Sequence, residues 1–269
     1  MVLDVRFRMG SHTGRQEFEQ AHVPGASYVD LDTALAAIRP DGVGGRHPMP
    51  TAEAFAAAMS SAGVTISRPV VAYDDWLSMS ASRVWWMLRH FGLLDVRVLD
   101  GGISAWIAAG KPTESGSGSQ GIGHLPRSGP GAGALAGTHR GVGSLLNAAD
   151  ATRYAARHLL LDARPADRFR GENETIDPVV GHIPGAVSAP ALANVGGDGR
   201  FLPAGELARR FHELGAEDGR TVGTYCGSGI QATHLALALS VAGITECADV
   251  YIGSWSDWIT GQDRPIALG

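Results

Sequence analysis

Thr221-Val222-Gly223-Thr224-Tyr225-Cys226-Gly227-Ser228-Gly229-Ile230-Gln231-Ala232 begins as a short apolar strand and turns sharply at a Cys-Gly-Ser-Gly loop. It then enters an apolar helical stretch running from Gln231 to Ala242. A thiol placed where a strand turns into a helix sits over backbone N–H groups that have no helical partner. Those donors and the positive end of the helix dipole favour the thiolate, the reactive form of cysteine. The loop therefore predicts a nucleophilic sulfur at Cys226. Its strand–loop–helix setting predicts an α/β sheet whose site lies at the carboxyl end of a strand.

Outward from this stretch, the chain repeats itself. Leu3-Asp4-Val5-Arg6 matches Leu161-Asp162-Ala163-Arg164, and His22-Val23-Pro24-Gly25-Ala26 matches His182-Ile183-Pro184-Gly185-Ala186. Tyr73-Asp74 falls where Tyr225-Cys226 falls, and Gly101 to Ile107 matches Gly253 to Ile259. The matches keep their order at offsets of 152 to 160 residues. A repeat of that period is a duplicated domain rather than a solenoid. Each half alternates short apolar runs with helical stretches. Strands are predicted at 2–5, 70–73 and 96–99, then at 159–161, 221–225 and 248–251. Helices are predicted at 53–62 and 81–91, then at 206–214 and 231–242. That alternation predicts a mostly parallel sheet flanked by helices in each half. The boundaries expected are a first domain over 1–113, a Gly/Ser-rich linker over 114–143 and a second domain over 144–269. The linker reading rests on Ser115-Gly116-Ser117-Gly118-Ser119 and Gly129-Pro130-Gly131-Ala132-Gly133.

Composition narrows the partners. A chain of 269 residues with 44% hydrophobic and 18% charged residues is a folded protein, not a disordered one. The net charge of -5 gives no reason to expect nucleic acid or an anionic membrane as partner. Two cysteines do not build a disulfide framework, and a reducing cytoplasm is the natural compartment. The amino-terminal residues carry no apolar signal region, and no uncharged run is long enough to span a bilayer. Neither C-x-x-C nor a paired histidine spacing occurs near Cys226, so no metal site is expected there.

The Cys226 loop, the two His-x-Pro-Gly-Ala motifs and Gly253-Ser254-Trp255-Ser256-Asp257-Trp258 together resemble tandem-domain sulfurtransferases of the rhodanese superfamily. The resemblance covers nearly the whole chain except the linker. It implies two rhodanese-like domains, of which the first has lost its cysteine and the second is catalytic. Asp74 at the position equivalent to Cys226 fits that pattern. The loop Cys-Gly-Ser-Gly is similar to the branch that takes sulfur from 3-mercaptopyruvate, since the thiosulfate-preferring branch usually carries basic residues after the cysteine. The mechanism implied is double displacement through a Cys226 persulfide, with cyanide, a small thiol or thioredoxin as acceptor and with no cofactor. Thiosulfate is the alternative donor.

The resemblance also implies roles by position. Ser228 matches a loop serine that joins an aspartate and a histidine of the first half, for which Asp32 and His47 stand at the matching places. Such a set relays a proton to the leaving enolate, with histidine as the natural shuttle near neutral pH; a histidine that merely caps a loop is the plainer reading of His47. Arg168 matches an arginine that holds the donor's carboxylate or sulfonate. A second arginine expected a few residues later is absent, and Glu174-Thr175-Ile176-Asp177 stands there instead. The loop amides of Gly227, Ser228, Gly229, Ile230 and Gln231 are expected to hold the anionic sulfur. Gln231 replaces a small residue usual at that place.

Other chemistry-bearing residues have plainer readings. Cys247 reads as a small buried hydrophobe. His22 and His182 occupy equivalent turns in both halves, one of which lacks the cysteine, so they read as structural. The tryptophans read as core. A cysteine phosphatase needs an arginine in its loop, and Cys226 to Ala232 has none; the ring is also one residue short for a phosphate. A papain-like protease needs Cys and an aromatic where Gly229-Ile230 stand. A rhodanese-like binding module that never loads sulfur is the non-enzymatic alternative, and the cysteine retained at position 226 weighs against it.

Overall fold

The computed structural model describes residues 1–11, 13–37, 39, 41–119 and 143–269. Most of the stretch read as linker, from Gln120 to Val142, lies outside the described residues. The chain falls into two compact units. The first comprises Met1–Ala37, the described residues from Pro50 through Ser119, and Gly197–Arg200. The second comprises the rest, including the stretch between Ala37 and Pro50.

In the first unit the order is β1 (Val2–Asp4), α1 (Gly14–Gln20), β2 (Ala26–Tyr28), α2 (Leu31–Ala34), α3 (Ala52–Ser61), β3 (Val70–Tyr73), α4 (Met79–His90), β4 (Val96–Val98) and α5 (Gly102–Ala108). The four strands form one parallel sheet in the order β2-β1-β3-β4. Short runs of buried aliphatic residues suit strands covered by helices on the faces of a parallel sheet. Helix α4 is buried around nearly its whole circumference, Ser80, Ser82 and Arg83 included beside Trp85, Trp86, Met87 and Leu88, so it runs inside the unit rather than on its surface. Phe18, Val23, Ala26, Tyr73 and Ile103 form a core cluster. Glu114 to Ser119, read as the start of the linker, run hydrogen-bonded along this unit. His22 and Glu114 exchange backbone bonds of 2.9 Å, and Ser119 N–H donates to the Ala26 carbonyl at 3.0 Å.

In the second unit the order is α6 (Ala148–Arg157), β5 (Leu159–Asp162), α7 (Ala166–Arg170), β6 (Val187–Ser188), a 3-10 turn (Ala191–Asn194), α8 (Ala204–Glu213), β7 (Val222–Tyr225), α9 (Ile230–Val241), β8 (Asp249–Val250) and α10 (Ser254–Trp258). The sheet is again parallel, in the order β6-β5-β7-β8. Tyr225, Tyr251, Trp255 and Trp258 dominate its core with Leu146, Leu160 and Ile183.

The duplication reaches individual side chains. Arg6 forks onto Asp4 and donates to the Ala21 carbonyl; Arg164 forks onto Asp162 and donates to the Gly181 carbonyl. His22 donates from Nδ1 to the Phe18 carbonyl and stacks on that ring; His182 does the same with Phe169. The Tyr73 hydroxyl accepts from Val23 N–H, and the Tyr225 hydroxyl from Ile183 N–H. The two histidines thus tie their turns down, in the half with the cysteine and in the half without it.

Candidate active site

Strand β7 delivers Cys226 to the carboxyl edge of the second sheet, and α9 begins four residues later. The backbone turns left-handed at Gly229, which lets the loop fold over its own sulfur. Cys226 Sγ accepts the N–H of Gly229 at 3.1 Å and that of Ser228 at 3.4 Å. These donors have no helical partner and converge on a sulfur that is 2% exposed, an arrangement that holds negative charge on the atom they face. The turn at Ser254 braces the loop from behind. Ser254 Oγ accepts the Cys226 N–H at 3.0 Å and donates to the Tyr251 carbonyl at 2.8 Å, while Trp255 and Ser256 N–H groups bind the carbonyls of Cys226 and Gly227. Ser254 holds φ at 55°, a sparsely populated conformation for a residue with a side chain.

Two guanidinium groups meet the loop at Gly227. A Cβ on Gly227 would lie 2.9 Å from Arg46 Nη2 and 3.8 Å from both terminal nitrogens of Arg168. The missing side chain is what lets both cations approach the residue next to the thiol. Arg168, on α7, is nearly buried and is gripped by Glu174 through Nε (3.0 and 2.9 Å) and Nη2 (2.8 Å). Its Nη2 also reaches Asp177 at 3.0 Å. Asp177 in turn pairs with the Arg46 guanidinium. The Glu174 side chain is covered and stands 3.6 Å from Arg164, whose guanidinium lies over the Trp255 ring. Burial pushes the Glu174 carboxyl up, but the Arg168 bond, the amides of Asp177 and Ile176 and the Arg168 charge outweigh it, and the net direction is down.

Each residue singled out from sequence has a definite place. Cys226, Gly227, Ser228 and Gly229 form the loop, with Ser228 half-buried and the others buried. Ile230 is the buried first residue of α9 and Gln231 its half-buried second. The N–H groups that reach the sulfur are those of Ser228 and Gly229, a narrower set than the whole run to Gln231. Asp32 is half-buried in the first turn of α2, in the first unit. His47 is half-buried beside Arg46, in the stretch that groups with the second unit. That stretch is pinned by Gly44 N–H to Asp257 Oδ1 and Arg46 N–H to Ser256 Oγ, both 3.1 Å.

Four participants escaped the sequence reading. Arg46 was visible only as the neighbour of His47, and its reach to Gly227 depends on a long-range pairing that no local pattern encodes. Ser254 stood inside the Gly253-to-Trp258 motif without a role. Glu174 and Asp177 were read as the loss of a cation; instead they organise Arg168 and a second guanidinium arriving from Arg46. Cys247 is a buried free thiol. Among the described residues no cluster of three or more His, Cys, Asp or Glu side chains could hold a metal ion, and no helix is long and apolar enough to cross a membrane.

The first unit carries the same cradle with a different occupant. Asp74 follows β3 as Cys226 follows β7, and its carboxylate accepts from the N–H groups of Trp76, Ser78 and Ala81 and from the Ser80 hydroxyl, at 2.8 to 3.0 Å. Burial raises this carboxyl, and the four donors oppose that rise. The loop that faces a cysteine sulfur in one unit faces a built-in carboxylate in the other.

A duplicated parallel α/β unit with an amide-lined cysteine loop defines a class, and comparison with known proteins gives the family. The rhodanese-like domain family matches residues 1–109 and 143–260, and the chain belongs to it. It is 42% identical over its whole length to a Pseudomonas aeruginosa protein named "Probable 3-mercaptopyruvate sulfurtransferase", covering 92% of that protein. It is 37% identical, again over its whole length, to SseB of Mycobacterium tuberculosis, a candidate thiosulfate sulfurtransferase of which it covers 90%. Among solved structures, 3-mercaptopyruvate sulfurtransferase from Leishmania major matches 98% of this chain and 71% of its own, at 28% identity and a TM-score of 0.82.

Proposed function

We propose that the chain is a sulfurtransferase that moves a sulfane sulfur from 3-mercaptopyruvate to a thiophilic acceptor through a persulfide on Cys226. The observation that carries this reading is the convergence on one loop of a sulfur that accepts two backbone N–H groups and of two guanidinium groups. The guanidinium fork suits a planar carboxylate, so Arg168 and Arg46 orient the donor with its sulfur toward Cys226. The thiolate attacks that sulfur. A Cys–S bond forms, the carbon–sulfur bond of the donor breaks, and the electron pair leaves with pyruvate as its enolate. Ser228, His47 and Asp32 are the residues assigned to deliver the proton the enolate takes up. Cyanide, a small thiol or thioredoxin then attacks the outer sulfur, and the Cys226 thiolate is restored. Splitting one transfer into two displacements is the gain of covalent catalysis. Residues 144–269 are the catalytic domain in this reading, and 1–113 a domain whose cradle Asp74 has filled. Two free thiols suit a reducing cytoplasm.

Thiosulfate is the second donor to test, because the same two guanidiniums fit a sulfonate. The deciding experiment is intact mass after incubation with 3-mercaptopyruvate, beside Cys226→Ser. The expected result is the gain of one sulfur atom, discharged by cyanide and absent in the variant. No gain with either donor would leave a binding module in place of an enzyme.

A further inference from the structure

Asp177 occupies an unusual place beside this site. It is one carboxylate shared by two cations: Oδ2 binds Arg168 Nη2 at 3.0 Å and the other oxygen pairs with Arg46 Nη1. Both guanidiniums face Gly227, the residue after the nucleophile. Behind them, Arg164 is matched by Asp162 and Arg168 by Glu174. The three arginines of the cluster are balanced by three carboxylates, so the loop is lined with hydrogen-bond donors but carries little net positive charge. Asp177 is 8% exposed and the Glu174 side chain is covered, so water screens both charges only in part.

We propose that Asp177 is a specificity-determining positioning residue that makes the site select a donor bearing one negative charge over one bearing two. This rests on the sulfurtransferase reading and names the donor class within it. Asp177 fixes the spacing of Arg46 and Arg168 and takes up part of their charge. A monoanionic carboxylate then adds one charge beyond this balance, whereas a dianion such as thiosulfate adds two and is the more strongly repelled. Selection of this kind works by repulsion against the wrong ligand as much as by attraction for the right one. Glu174 assists by gripping Arg168 through Nε and through Nη2, the nitrogen it shares with Asp177, which fixes the guanidinium beside the loop.

The test separates this proposal from the activity itself by measuring anion binding in Cys226→Ser, which cannot turn over. Pyruvate serves as the monoanion and sulfate as the dianion, titrated calorimetrically at low salt. The expected result is tighter binding of pyruvate than of sulfate. Sulfate binding equal to or tighter than pyruvate overturns the proposal, whatever the fate of the enzymatic reading. In the Cys226→Ser/Asp177→Asn double variant the sulfate-to-pyruvate affinity ratio should rise on the order of tenfold, the scale of one unscreened charge at a partly buried site. Asp177→Glu in the same background should restore the parent ratio. A ratio unmoved by Asn, with both affinities lost together, would show a merely structural residue and would also overturn it. With the cysteine restored, the kcat/KM ratio of thiosulfate to 3-mercaptopyruvate should move in the same direction through KM.

Discussion

At the scale of single residues, the site depends on atoms that are missing as much as on atoms present. Gly227 has no positive φ to protect; it is small because Arg46 Nη2 lies only 2.9 Å from where its Cβ would be. The atom displaced by an added methyl is the far end of a flexible side chain. Gly227→Ala should therefore fold with a stability loss under about 1 kcal/mol, yet raise the donor KM about tenfold as Arg46 is pushed aside. Denaturant titration and steady-state kinetics on the same preparation check both halves of that statement. Ser254 makes the complementary case. Its Oγ is the acceptor for the Cys226 N–H, and its backbone is held left-handed. Ser254→Ala strands that buried N–H and keeps the strained φ, for a loss of about 2 kcal/mol. Ser254→Gly loses the same bond but relieves the backbone, so it should be the more stable of the two, while both slow sulfur loading. A Gly variant less stable than the Ala variant would contradict this account.

At the scale of elements, the strands carrying buried aliphatic runs were legible, and so were the long helices other than α6. Val70–Tyr73 and Val222–Tyr225 are short, apolar and followed by turn residues, and both are central strands. The edge strands β4 and β8 were legible too, but the other two were not. β2 and β6 are three and two residues long and follow the His-x-Pro-Gly turns, so no alternation has room to show. Helices α7 and α10 are five residues each and are held by tertiary contacts rather than by their own periodicity. The cysteine loop was readable because its chemistry is local. Arg46 was not, because its partners Asp177 and Ser256 are 131 and 210 residues away. The stretch that carries Arg46 supplies its own test. Gly45 has φ of +83°, and a Cβ there would meet the Gly253 carbonyl oxygen at 2.4 Å, a backbone atom that cannot step aside. Gly45→Ala should cost roughly 2 kcal/mol or detach the stretch from the turn after β8. Detachment predicts a donor affinity as weak as that of Arg46→Ala, with thermal unfolding otherwise near that of the parent protein.

At the scale of the whole molecule, duplication left two units with the same frame and opposite contents. The Asp–Arg forks, the histidine–aromatic stacks and the tyrosine anchors recur, while the cradle holds a carboxylate in one and a thiol in the other. The buried carboxyls also pull the pH dependence of stability in opposite directions. Asp4 and Asp74 are raised by burial, so folding penalises their charged forms and their contribution grows more favourable as pH falls. Glu174 is net lowered, so its contribution is fully present above the ordinary glutamate value of 4.5 and is lost as pH falls through its depressed folded value. A wild-type curve alone mixes these terms; the difference from Glu174→Gln isolates one. At neutral pH that variant leaves Arg168 without its main partner and should be less stable by about 3 kcal/mol. As pH drops from about 5 toward about 3, wild type protonates the same group and the gap should narrow. Urea midpoints of the two proteins across that range decide the matter. A gap that stays constant or widens on acidification would mean that Glu174 is not the carboxylate holding Arg168, and that Asp177 alone fixes the two guanidiniums over the cysteine loop.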